Sequence, residues 1–79
     1  MAKTIRLKIK KELTQEQEKQ VIRLKGALIA KGFTDIIHIS DESEQHYINS
    51  FQADSPDGAL DFIAACKAEG GLADAIWVL

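Results

Sequence analysis

The chain has 79 residues, 46% of them apolar and 28% charged, with five glycines, one proline and a formal charge of −2. That length holds one hydrophobic core, because separate cores need roughly 50 residues each, and folding is expected to bury roughly 60% of the extended chain's surface. The composition excludes a disordered or fibrous chain, and the charge supplies no overall field to attract nucleic acid or an anionic membrane.

Thr4 to Lys10 alternates with period two, placing Ile5, Leu7 and Ile9 on one face and Arg6, Lys8 and Lys10 on the other. Such alternation is the pattern of a half-buried strand. Thr14 and Gln17 form a capping-box pair, so a helix starts there and runs to about Lys31. Val21, Leu24, Leu28 and Ile29 recur along it at helical spacing, with Ile22 widening the stripe. Gly32 closes the helix, and Phe33 is expected to fold back onto its last turn. Ile36 to Ile39 is a short β-branched run, and Gln45 to Ala53 alternates again, so the two make a hairpin around the polar segment Ser40 to Glu44. Ser55, Pro56 and Asp57 supply an N-cap, a first-turn proline and an acid at the positive helix end. Ala59, Leu60, Phe62, Ile63 and Cys66 then share one broad face, Gly70 and Gly71 end the helix, and Ala75 to Leu79 reads as a final apolar strand with no tail beyond it.

The order strand, helix, strand, strand, helix, strand implies two right-handed β-α-β crossovers sharing one sheet. An α+β ferredoxin-like sandwich satisfies that order. Residues 1–79 then form a single domain with an antiparallel four-stranded sheet in the order 4-1-3-2. Both helices lie on one face, and the other face is open.

Chemical motifs are sparse. The glycines fit neither a dinucleotide-binding fingerprint nor a phosphate loop, and no cofactor is expected. His38 and His46 are two candidate metal ligands if the hairpin brings them side by side, but without a third ligand at a set spacing no metal site is assigned. No catalytic residue is assigned either. Cys66, the one cysteine, lies among apolar neighbours and reads as a packing residue. With no disulfide partner it fits a reducing compartment, the cytoplasm by default. The first residues lack the apolar run of a signal peptide, and no stretch is long enough to span a bilayer, so a soluble protein without a membrane partner is expected. The acidic residues Asp41, Glu42 and Glu44 read as a solvated loop.

The open sheet face is the remaining candidate. Sending Tyr47, Asn49 and Phe51 inward leaves His46, Ile48 and Ser50 outside. Ile37 and Ile39 inward leave Ile36 and His38 outside, and Ile76 and Val78 inward leave Trp77 outside, beside Arg6 or Lys8. Arg6, Lys8, His38, His46, Ile48 and Trp77 are therefore the expected binding residues, a mixture suited to partner docking and cation–π contact. A four-stranded face projects to only about 350 Å², below the about 800 Å² per partner of a standard interface, so docking must also recruit an edge or loops. The last strand offers such an edge, because it carries neither proline nor lysine to block pairing.

Families of this shape are testable on residues. RNA-recognition motifs present aromatics outward from the first and third strands, where this chain has Arg6 and Lys8 and lacks the associated basic-Gly-aromatic run before Tyr47. Metal-transporting domains carry a Cys-x-x-Cys pair after the first strand, where this chain has Lys11 to Thr14, and amino-acid-sensing domains favour an acidic residue with Pro-Gly at that turn. The chain matches none of the three. The expected function is a non-enzymatic interaction or regulatory module that docks a protein partner or a second copy through the open face and the final strand. The alternatives are a small dimeric enzyme or ligand-binding protein using His38 or His46, its ligand unspecified, and nucleic-acid binding through the basic first strand.

Overall fold

The computed structural model describes residues 2–79. The elements are β1 (Lys3–Lys10), α1 (Gln15–Ala30), β2 (His38–Asp41), β3 (His46–Ala53), α2 (Pro56–Gly70) and β4 (Ile76–Val78). All strand pairs are antiparallel, and the spatial order β2-β3-β1-β4 is the ferredoxin-like 4-1-3-2 order seen from the other edge. Ile5, Leu7 and Ile9 from β1 are buried in one core with Val21, Leu24 and Leu28 of α1 and Ala59 and Ile63 of α2, which places both helices on the same side of the sheet.

The local chemistry explains the elements. The Thr14 hydroxyl accepts from the Gln17 N–H at 3.1 Å, and the Gln17 amide oxygen accepts from the Thr14 N–H at 3.1 Å, completing the capping box. The Gln17 side-chain nitrogen also donates to Asp74 Oδ1 at 3.3 Å, so the start of α1 is tied to the loop after α2. At the other end of α1, Gly32 takes a φ of 79°, which lets the Phe33 N–H turn back to the Leu28 carbonyl at 3.0 Å. The Phe33 ring then stacks on Phe62 of α2, with centroids 5.6 Å apart.

Several boundaries and faces differ from the sequence-based expectation. Ile22 and Ile29 of α1 are exposed, and only Val21, Leu24 and Leu28 are buried. Each exposed isoleucine stands one residue, a rotation of about 100°, from a buried one, so α1 packs through a narrow seam. β2 starts at His38 and not at Ile36, because the Thr34 hydroxyl donates to the Ile36 carbonyl at 3.2 Å and holds a local turn short of the sheet. It continues to Asp41, opposite Tyr47, and the Glu42 and Ser43 N–H groups both donate to the His46 carbonyl. Pairing with β3 therefore converts part of the expected acidic loop into strand. Ser55 is the N-cap of α2 by position, but its side chain makes no capping hydrogen bond, and Pro56 begins the helix.

Candidate functional site

Paired residues on antiparallel strands project to the same side, so the register identifies who shares the open face. Arg6 stands opposite Ser50, Lys10 opposite His46, and Lys8 opposite both Ile48 on β3 and Trp77 on β4. On β2, His38 stands opposite Ser50 and Ser40 opposite Ile48. Arg6, Lys8, His38, His46, Ile48 and Trp77 thus lie on the face turned away from the helices. Ile36 is exposed but precedes β2.

Two side-chain arrangements cross this face. The Trp77 indole, 38% exposed, meets the His46 ring edge-on at 5.6 Å between centroids. Since β1 lies between β3 and β4, that contact passes diagonally over β1 from Lys8 to Lys10. Lys8 reaches the other way, its ammonium 3.6 Å from Glu42 Oε1 just beyond β2, so its stem crosses β3 beside Ile48. Ile48 is only 6% exposed although no helix covers that side. The expectation of an accessible Ile48 is therefore corrected; the Lys8 stem, paired opposite Ile48 and reaching toward Glu42, is in place to cover it, as long basic residues do on apolar surface.

The acidic segment is likewise less free than a solvated loop. Besides the Glu42 pair, Asp41 Oδ1 lies 2.9 Å from the Lys11 ammonium, which also sits 4.8 Å above the Tyr47 ring. Each ion pair is partly exposed and stabilises the fold by about 1 kcal/mol at most. Their larger effect is on the field, because a carboxylate neutralises Lys8 and, among the described residues, leaves only Arg6 and Lys10 of the basic stripe without an ion-pair partner.

The histidines are not brought together. Their register partners place them four residues apart along β3, about 13 Å. His38 lines an open depression of about 550 Å³ with Thr4, Asp35, Gln52 and Asp54, and His46 is not part of it. Among the described residues there is no group of three or more His, Cys, Asp or Glu able to hold a metal ion, and no helix is long and apolar enough to cross a membrane. Cys66 packs against the core. Burial first, then the charge of Glu69, pushes its thiol above the ordinary value, with Lys31 opposing.

Two features were missed from sequence. One is a cleft of about 490 Å³ on the helix side, between α1 and the β2 end of the sheet. The other is Asn49, whose buried amide oxygen has no hydrogen-bond partner. A signal for Asn49 was present: it shares the inward phase of β3 with Tyr47 and Phe51, an amide set among core positions. No family model matches the chain, and comparison with curated proteins and with solved structures likewise finds no match.

Proposed function

We propose that this chain is a non-enzymatic interaction module that accepts a polypeptide strand at β4, in the simplest case from a second copy of itself, with Trp77 on the adjoining face completing the contact. One observation carries the reading, the free edge of β4. The Lys10 N–H donates to the Ala75 carbonyl and the Leu79 N–H to the Arg6 carbonyl, so residues 75, 77 and 79 turn their backbone groups toward β1. By the alternation of an antiparallel ladder, the N–H and C=O of Val78 point away from the sheet, toward a strand not yet there. Val78 and Leu79 expose their side chains beside those groups, and Trp77 lies on the open face next to them. Two copies related by a two-fold axis at Val78 would exchange two backbone hydrogen bonds and join two four-stranded sheets. At about 1 kcal/mol each, those bonds give a dimer only together with the apolar side chains.

The variant Val78→Pro tests the edge. It deletes the outward N–H and leaves the ladder to β1 intact, because that ladder uses residues 77 and 79. Sedimentation should show concentration-dependent self-association for the parent chain and none for V78P, at matched thermal stability. A parent chain that stays monomeric at millimolar concentration refutes the second-copy case, and a V78P chain that associates equally well refutes the use of the β4 edge.

A further inference from the structure

The helices cover β1 and leave β2 bare. Every residue of β2 is exposed, and Ile39 on its helix-facing side is 57% accessible. Across the resulting gap stands Ile22 of α1, 60% accessible, and between them lie the half-exposed Tyr47 and the buried floor of Ile9, Val21 and Asn49. These groups enclose the cleft of about 490 Å³, a size in the range of small-molecule sites and largely apolar in its walls. Asn49 is 2% exposed, and its side-chain oxygen is both shielded from solvent and without a hydrogen bond. Nearly all buried polar side-chain atoms find a partner, so this orphan, on a residue that lines the cleft, points to a partner that arrives there and is met as the amide turns. A half-turn of the amide exchanges oxygen and nitrogen, so Asn49 can present either a donor or an acceptor there.

Charge at the rim selects the ligand. Of the lysines that line the cleft, Lys11 is engaged by Asp41 and Tyr47 and Lys10 belongs by register to the open face, whereas Lys25, half-buried on α1, has no ion-pair partner among the described residues. Glu18 stands two helical turns earlier and repels an anion from the opposite end of the cleft. We propose that this cleft binds a small organic carboxylate with an apolar body, its carboxylate at Lys25, its hydrocarbon between Ile22, Ile39 and Tyr47, and a polar substituent at the Asn49 amide. The site lies on the helix side of the sheet, away from the open face and the β4 edge, so its test is independent of strand addition.

The probes are 4-hydroxyphenylpropanoate and its uncharged counterpart, the corresponding primary alcohol, titrated into the 15N-labelled chain. Saturable shifts are expected at Val21, Ile22, Lys25, Ile39 and Tyr47 and at the Asn49 side-chain amide. Lys25→Gln should weaken the carboxylate about fivefold and leave the alcohol unchanged, the effect of one partly exposed ion pair. Asn49→Leu, close in volume, should fold and lose affinity for both probes. Should that variant fail to fold, the Asn49 amide resonances of the parent chain decide alone, because a bound polar group must move them. Absence of saturable shifts at millimolar probe, shifts located elsewhere, K25Q binding the carboxylate as well as the parent does, or a folded N49L with undiminished affinity would each overturn the assignment.

Discussion

Ile48 gives the sharpest test of how the open face is built. It projects away from both helices, yet it is almost inaccessible, and the Lys8 stem reaching for Glu42 is the group that crosses it. Ile48→Ala removes three carbons, which at about 0.8 kcal/mol per buried carbon amounts to about 2.4 kcal/mol. The site lies at the surface and can partly close, so the expected cost is about 2 kcal/mol, toward the low end for such truncations. Against the roughly 4–12 kcal/mol typical of a chain this long, that is a large fraction. With a urea dependence of about 1 kcal/mol per molar, the unfolding midpoint should fall by about 2 M. Lys8 separates cover from charge: Lys8→Met keeps the stem and loses only the exposed ion pair, costing about 0.5 kcal/mol, whereas Lys8→Ala also uncovers Ile48 and should cost about 1 kcal/mol more. If Ile48→Ala costs less than about 0.5 kcal/mol, the value of an ordinary solvated position, or if the two Lys8 variants are equally stable, the cover does not exist.

Helix capping and the cysteine give two further predictions. Thr14→Ala breaks a complete capping box and should cost about 1 kcal/mol in urea unfolding, while Ser55→Ala, at a cap position with no side-chain bond, should stay within about 0.5 kcal/mol of the parent. Cys66 has its thiol pushed up by burial and by Glu69, so at mildly alkaline pH the folded chain should react with a disulfide reagent more slowly than the urea-unfolded chain does. The same shift means that the folded state holds the thiol proton more tightly than the unfolded state. Stability should therefore fall as pH rises through the ordinary thiol range near 8.5 and beyond, a decline absent from Cys66→Ala. Equal labelling rates in both states would remove the argument.

Periodicity made the backbone legible, and side-chain reach did not. The alternation from Thr4 to Lys10, the Thr14 and Gln17 pair and the Gly32 stop each depend on neighbours within a few residues, so they could be read without a structure. The start of β2 depends on its partner strand and on the turn at Thr34, which is why Ile36 and Ile37 looked like strand and lie outside it. The phases of β3 and β4 followed from apolar weight, and they place Trp77 on the open face as expected. What no phase argument conveys is that Lys8 can span a strand to reach Glu42, or that Trp77 can span another to reach His46.

Those two spans change where a partner finds unspent interactions. A flat open face with six exposed groups would favour docking onto the sheet. The face here has already paired one lysine, covered its isoleucine and set its indole against a histidine, so a partner landing on it must break existing contacts before forming new ones. Apart from Arg6 and Lys10, uncommitted groups lie instead at the two ends of the sheet. At β4 they are backbone donors and acceptors with apolar side chains beside them, which suit a strand. Beyond β3 they are an orphaned amide, an unpaired ammonium and exposed isoleucines around a cleft, which suit a small amphiphile. The two sets of groups are separate, because no residue of β4 lines that cleft. Occupancy of one end should therefore leave affinity at the other unchanged, unless the core strands β1 and β3 shift between them.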